Sequence, residues 1–124
     1  MEVYMEKLTN AEWQVLNALW RGKTALGEIV DYLYPATKWT RNTVHTYLTR
    51  MEKKGLVNID RSADYHAYTP RVTKDECSKQ ERDILLNKVY GGAVGDLIAA
   101  FLKESRISAE EKEKLNRLLD EMEV

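Results

Sequence analysis

The 124-residue sequence has little cysteine and no long apolar stretch. Its one cysteine, Cys77, cannot form an internal disulfide or a multi-cysteine metal site, and its neighbours give no reason for a reactive thiolate. No apolar run reaches the length of about 18 residues that a membrane helix needs. The N-terminal MEVYMEKL lacks the basic and apolar blocks of a signal peptide. We therefore expect a cytoplasmic protein without membrane insertion, in which Cys77 is structural or incidental.

Motifs of common enzyme classes are also missing. The sequence has no Gly-rich phosphate loop, no nucleophile-elbow pattern and no His-Glu-x-x-His helix. His45 and His66 belong to different predicted elements, and no cluster of acidic or cysteine residues accompanies them to complete the three or four ligands of a transition-metal site. We predict no enzymatic activity, no metal and no cofactor, although a fold alone never excludes grafted chemistry.

Positive charge is concentrated in the middle of the chain. The formal net charge is only −1, and 31% of the residues are charged. Residues 38–71 contain seven basic and three acidic residues, whereas residues 1–37 contain three basic and five acidic residues. A basic segment in a mildly acidic chain indicates an anionic partner that is bound on one face.

Capping signals predict two helices before residue 38. Thr9-Asn10-Ala11-Glu12 is a capping box, and an apolar stripe at helical spacing follows it as far as Trp20. Thr24 is expected to cap a second helix with Leu33 on its apolar face, and Pro35 is expected to end this helix. Both helices require a shared core.

A third helix is predicted between its N-cap, Thr40, and Gly55. Its apolar stripe consists of Val44, Tyr47, Leu48 and Met51. The opposite side and its flanks carry polar or basic side chains: Arg41, Asn42, Thr43, His45, Thr46, Thr49, Arg50 and Lys53. Glu52 is the only acid, whereas a merely solvated helix more often mixes both signs of charge. The polar face is therefore a candidate binding surface.

The apolar spacing changes after Gly55. Residues 56–61 alternate in the manner of a strand, and a second extended run follows at 66–69. Three helices followed by a hairpin predict a mainly α fold with a small β-hairpin (α+β), namely a winged helix-turn-helix. In that fold the third helix enters the major groove and its first turn contacts base edges. Lys38 and Arg61 are expected near phosphates.

The remaining sequence predicts three further helices. The first covers residues 74–90 and ends at Gly91-Gly92, the second follows, and Ser108-Ala109-Glu110-Glu111 is a capping box that begins the third. Their apolar stripes contain Ile84, Leu85, Val89, Val94, Leu97, Ile98, Phe101, Leu115, Leu118, Leu119 and Met122. A region of about 50 residues makes a poor core alone, so a second copy is the simplest partner. The alternative is packing against the N-terminal domain. We predict a DNA-binding domain at 1–72 and a helical dimerisation domain at 73–124.

Several motifs resemble the penicillinase repressors of the BlaI/MecI group. They are W-T-x-x-T-V at 39–44, R-M-E-K-K-G-L-V at 50–57 and Y-T-P at 68–70. The N-terminal L-T-x-A-E-W-x-V-L and the stretch from Gly91 to Phe101 are similar to that family's opening and dimerisation region. The resemblance implies a homodimer that binds palindromic operators and represses resistance genes. Repression would end when a membrane sensor-protease, or a protease downstream of it, triggers cleavage.

The resemblance also implies roles for individual residues. Base contacts would come from Asn42, Thr43 and Thr46, with Thr40 and Arg41 beside them. Many relatives have Lys at the position of Asn42, and Asn pairs with adenine where Lys favours guanine or phosphate. The resemblance therefore does not predict the operator sequence of this chain. Thr46 and Thr49 could instead form ordinary polar helix surface, and Arg50 and Lys53 could contact phosphate or stay solvated.

The resemblance also implies that one peptide bond of this chain is cleaved. The resemblance places the cleavage bond at Ala100-Phe101, where relatives can have Asn before the Phe.

Copper-responsive relatives of the CopY type end in Cys-x-Cys motifs, whereas this chain ends in LLDEMEV. A metal-responsive repressor is therefore disfavoured. The other rival is a winged-helix module that binds a protein and no operator.

Overall fold

The computed structural model describes residues 7–123, which form six helices and one antiparallel two-stranded sheet. The elements are α1 (Asn10–Trp20), α2 (Leu26–Thr37), α3 (Arg41–Lys53), β1 (Val57–Asp60), β2 (Ala67–Pro70), α4 (Lys74–Tyr90), α5 (Val94–Glu104) and α6 (Ala109–Glu121). This architecture confirms the predicted fold class. The chain divides into two compact units, Met1–Glu81 and Arg82–Val124. The functional division at residue 72 stays a prediction.

Helix α1 begins at the predicted capping box. The Thr9 backbone N–H donates to Glu12 Oε1 over 2.9 Å, and the Glu12 backbone N–H donates to Thr9 Oγ1 over 3.1 Å. These two bonds satisfy backbone donors that have no partner within the helix.

Helix α2 differs from the prediction at both ends. It begins after Ala25 rather than Thr24, because Glu28 Oε1 accepts the Ala25 backbone N–H over 3.1 Å and stabilises the first turn. Pro35 does not end the helix, which continues to Thr37. Proline removes one backbone hydrogen bond, to the carbonyl of Asp31, and Asp31 belongs to an exposed part of the helix.

The core of the first unit joins all three N-terminal helices to the hairpin. Its buried apolar residues are Leu8, Val15, Leu16, Ala18, Leu19, Ile29, Leu33, Val44, Leu48, Met51, Leu56, Val57, Tyr68 and Cys77. Full burial of one aliphatic side chain contributes about 1.5 to 3 kcal/mol. Burial raises the pKa of the Cys77 thiol to about 11. Cys77 is thus a protonated core residue, in agreement with the structural role predicted for it.

Gly55 directs the chain from α3 into the hairpin. Its φ of 81° lies in the left-handed region that favours glycine. The Gly55 N–H donates to the Glu52 carbonyl over 3.0 Å, and the Leu56 N–H donates to the Met51 carbonyl over 2.9 Å. This pair of bonds is a Schellman motif, which places β1 directly after the end of α3.

The hairpin pairs β1 with β2 in an antiparallel register, with Val57 opposite Pro70 and Asp60 opposite Ala67. Residues 61–66 connect the two strands. The Tyr68 backbone N–H donates to the Thr24 carbonyl over 2.9 Å, so β2 is also tied to the segment between α1 and α2. We call this hairpin the wing.

The second unit contains the end of α4 together with α5 and α6. Helix α6 begins at the predicted cap, where the Glu111 N–H donates to Ser108 Oγ over 3.1 Å. Neither α5 nor α6 contains a buried residue. Among residues 7–123 no single helix is long and apolar enough to cross a membrane, and α4 and α5 meet that test only when taken together across the bend between them.

Candidate nucleic-acid interface

Helix α3 buries one face and leaves the other accessible. Val44, Leu48 and Met51 are almost completely buried in the core. The predicted contact residues lie on the accessible side: Arg41, Asn42, His45, Arg50 and Lys53 are exposed, and Thr43, Thr46 and Thr49 are partly exposed. The core therefore fixes which side of α3 can meet a partner.

The first turn of α3 is closed by two threonines. The Thr43 backbone N–H donates to Thr40 Oγ1 over 3.2 Å, and the two hydroxyl oxygens lie 3.0 Å apart. Before this turn, the Trp39 ring lies against the Tyr47 ring with a centroid distance of 4.9 Å. Both contacts hold the start of α3 in a defined position.

Two further threonines use their hydroxyl protons within the helix. Thr46 Oγ1 donates to the Asn42 carbonyl over 2.9 Å, and Thr49 Oγ1 donates to the His45 carbonyl over 3.0 Å. A hydroxyl has one proton, so each of these threonines can offer a partner only an oxygen lone pair or its methyl group. Donors for acceptor groups on a partner must come from side chains such as Asn42.

An open depression lies beside the first half of α3. It has a volume of about 350 Å³ and is lined by Leu26 of α2 and by Arg41, Asn42 and His45 of α3. Three of its lining residues are predicted contact residues. The depression therefore adds shape to the same polar surface.

The basic residues near α3 differ in their surroundings. Lys38 Nζ lies 4.7 Å from the centre of the Tyr34 ring. Within the described part of the chain, neither Arg50 nor Lys53 forms an ion pair. Arg61 contacts both carboxylate oxygens of Glu52 over 2.7 and 3.0 Å. These hydrogen bonds lower the pKa of Glu52 and raise the pKa of Arg61.

Two features of this region are not predicted from the sequence. Lys54, assigned there only to the helix end, forms an ion pair with Glu12 of α1. Tyr65, between the two strands of the wing, is 85% exposed. Periodicity and capping rules describe residues that are close in the sequence. They therefore do not predict the Glu12–Lys54 ion pair, whose residues are 42 positions apart, and no other sequence signal identifies this pair.

The predicted dimerisation residues are accessible in the single chain. Leu85, Val89, Val94, Ile98, Phe101, Leu118, Leu119 and Met122 are exposed, and Ile84, Leu97 and Leu115 are partly exposed. Ala100 and Phe101 lie inside α5, where Phe101 is 58% exposed. In residues 7–123, no three His, Cys, Asp or Glu side chains are grouped so that they could hold a metal ion.

Comparison with known proteins identifies the family. The family described as penicillinase repressor matches residues 8–121. The penicillinase repressor of Bacillus licheniformis is 26% identical over 116 residues, covering 93% of this chain and 91% of that protein. The methicillin resistance regulatory protein MecI of Staphylococcus aureus is 27% identical over 115 residues, covering 92% of this chain and 94% of that protein.

A solved structure has the same fold. It is the solution structure of the monomeric form of Bacillus licheniformis BlaI in complex with the blaP half-operator, which is 24% identical with a TM-score of 0.51. The match covers 59% of this chain and 90% of that chain. The match of the family over residues 8–121 confirms the resemblance first indicated by the motifs at 39–44, 50–57 and 68–70. The chain belongs to the penicillinase repressor family.

Proposed function

We propose that this protein is a sequence-specific DNA-binding transcriptional repressor that acts as a homodimer on palindromic operators. The observation that carries the proposal is the accessible face of α3, which presents amide, hydroxyl, imidazole and basic groups while Val44 and Leu48 anchor the opposite face. A helix of this kind in a winged helix-turn-helix suits the major groove. Of the relatives named above, one is a penicillinase repressor and one is a methicillin resistance regulatory protein, and the solved relative is in complex with the blaP half-operator.

Base readout is assigned to the first half of α3. Asn42 is exposed and has both donor and acceptor groups, so it can pair with adenine through two hydrogen bonds. Thr46 offers its methyl group or its oxygen, because its proton is engaged by the Asn42 carbonyl. Thr43 and His45 flank these two residues, and Thr40 and Arg41 lie beside them.

Phosphate contacts are assigned to basic residues around the same helix. Arg50 and Lys53 lie in its last turn and form no ion pair with another described residue, and Lys38 precedes its first turn. Such contacts neutralise phosphates, fix the position of the protein on the duplex and carry no sequence information. The local positive charge of residues 38–71 supports this assignment.

Homodimerisation is assigned to the second unit. Its apolar side chains, among them Phe101, Leu118 and Leu119, are exposed on a single chain. Burying each against a second copy would contribute about 1.5 to 3 kcal/mol. Two-fold symmetry would then present two α3 helices to half-sites about one helical turn of DNA apart, or a multiple of it, which explains why the operator would be palindromic.

The regulatory setting follows from the family. We assign the repressor to genes of antibiotic resistance or cell-wall stress, acting in the cytoplasm where the DNA is, with no enzymatic step of its own. Repression would end by cleavage of the Ala100-Phe101 bond under the control of a membrane sensor-protease. Mass spectrometry of the protein from cells treated with a cell-wall antibiotic tests this point, and an intact chain during full derepression would refute it.

Fluorescence anisotropy with the full-length protein tests DNA binding. The probes are a duplex of about 30 base pairs, enriched from a random-sequence library by this protein, and a random duplex of equal length. The enriched duplex should bind at least 1,000-fold more tightly, as an order of magnitude. Affinity for both should fall by orders of magnitude between about 50 and 200 mM salt. Failure to enrich any duplex would favour a protein-binding module instead.

A further inference from the structure

The wing is joined to α3 by an ion pair between Glu52 and Arg61. Arg61 Nη1 lies 2.7 Å from Glu52 Oε2, and Arg61 Nη2 lies 3.0 Å from Glu52 Oε1. A guanidinium that meets both oxygens of a carboxylate in this way is held in direction as well as distance. Glu52 is the only acid in α3, so the single negative charge of the helix is used for this contact.

Arg61 occupies a defined place in the wing. It directly follows β1, which ends at Asp60. Asp60 Oδ1 accepts hydrogen bonds from the Ser62 backbone N–H over 2.9 Å and from the Ser62 hydroxyl over 2.6 Å. These bonds close a turn around Arg61, and the Glu52 contact therefore acts on an ordered part of the chain.

The last turn of α3 is held from two directions. Lys54, the C-cap, contacts Glu12 of α1 over 2.9 Å, and Glu52 contacts Arg61 of the wing. Lys53, between them in the sequence, is exposed and forms no ion pair with any residue in 7–123. Among Glu52, Lys53 and Lys54, Lys53 alone has no opposite charge at ion-pair distance in the described part of the chain.

We propose that Glu52 and Arg61 are positioning residues for DNA binding, which hold the wing at a fixed angle to α3, and that Arg61 does not neutralise a phosphate. This assignment rests on the proposed function. It revises the phosphate contact that was predicted for Arg61 from its place in the hairpin alone. The Glu52–Arg61 ion pair determines where the wing contacts the operator backbone. The guanidinium stays on its carboxylate in the complex.

The direction in which Glu52→Gln changes DNA affinity distinguishes a positioning role from a phosphate contact by Arg61. Removing an acid from a surface that faces DNA relieves repulsion from phosphates and ordinarily strengthens binding. If Arg61 were a phosphate contact, removing Glu52 would also release it for that contact. Under the positioning role, Glu52→Gln should weaken binding of the enriched duplex about twofold to fivefold at about 100 mM salt, in the range of an exposed ion pair. Equal or tighter binding would overturn the proposal.

The salt dependence of a double variant gives a second, independent measurement. In Glu52→Gln/Arg61→Gln no phosphate contact is lost if Arg61 makes none, so the slope of log affinity against log salt should stay that of the wild type. The matched control, Lys53→Gln, should reduce that slope by about 1, as the loss of one phosphate contact does. A reduction of the same size in the double variant would show that Arg61 contacts phosphate and would overturn the proposal.

Failure of the inference can be distinguished from failure of the proposed function. All variants are full-length, and circular dichroism should give melting curves close to that of the wild type, because the ion pair lies at the surface, with the Arg61 side chain 50% and the Glu52 side chain 31% exposed. If the wild type binds neither the enriched nor the random duplex, the proposed function is refuted and this inference with it. If the wild type binds and Glu52→Gln binds more tightly, the inference alone is refuted.

Discussion

Lys54 Nζ lies 2.9 Å from Glu12 Oε2 and joins the end of α3 to the first turn of α1. Glu12 is only 4% exposed and also accepts the Thr9 backbone N–H. One carboxylate therefore closes the capping box of α1 and holds the end of α3. Burial by itself would raise the pKa of Glu12, but the Thr9 hydrogen bond and the Lys54 ammonium outweigh it and lower the pKa. Its ionised form is therefore the stabilising one.

Glu12→Gln should reduce the free energy of unfolding by about 1 to 2 kcal/mol at neutral pH, because the charged hydrogen bond to Lys54 is lost. The folded-state pKa is lowered, so the stabilisation is present above the unfolded-state value near 4.5 and is lost as pH falls through the folded-state value. Urea unfolding at pH 7 and below about pH 4 measures this.

The control for that substitution is Glu28→Gln. Glu28 also accepts a backbone N–H at a helix start, but it is exposed and forms no ion pair among the described residues. It should change stability little at either pH. A difference between wild type and Glu12→Gln that persists unchanged in acid would contradict a role for the Glu12 charge.

Thr46 should contact a base of the operator through its methyl group. Its hydroxyl proton is donated to the Asn42 carbonyl of its own helix, which leaves the oxygen lone pair and the methyl group. Of these two, the methyl group is the one that suits a thymine methyl. Thr46→Val should keep the preference for the enriched duplex, whereas Thr46→Ser should lose about 1 kcal/mol of it. Replacing thymine by uracil in the duplex should abolish the difference between wild type and Thr46→Ser. Loss of preference in Thr46→Val alone would assign the contact to the oxygen.

Asn42→Ala should reduce discrimination between the enriched and random duplexes by about 1 to 3 kcal/mol, because a base contact is lost. Lys53→Ala should weaken binding to both duplexes equally, since phosphate contacts carry no sequence information. Parallel anisotropy titrations measure both ratios. Unchanged discrimination in Asn42→Ala would place base readout elsewhere on α3.

Leu118→Asp should convert the dimer to monomers, because it places an uncompensated charge in the proposed interface. Asn116→Asp is the matched control, since it adds the same charge to α6 at an exposed position away from the apolar stripe. Sedimentation equilibrium should distinguish the two variants, and circular dichroism should show that both remain helical. A dimeric Leu118→Asp protein would exclude this part of α6 from the interface.

The sequence rules succeeded where the interactions are local. The caps at Thr9, Thr40 and Ser108 lie where predicted, because each depends on side chains within three residues of a backbone donor. The same rules failed at α2. There Glu28 reaches back to Ala25 in preference to a cap at Thr24, and the surrounding helix tolerates Pro35.

By itself, the sequence determined the order of the elements, the buried and accessible faces of α3 and the concentration of positive charge, because periodicity, capping and composition are properties of neighbouring residues. Only the tertiary structure decided which charges are compensated. Glu12 meets Lys54, and Glu52 meets Arg61, through the packing of α1, α3 and the wing. Local rules treat each charged side chain as independent, whereas the fold joins these four in two ion pairs and leaves Lys53 without an opposite charge at ion-pair distance among residues 7–123.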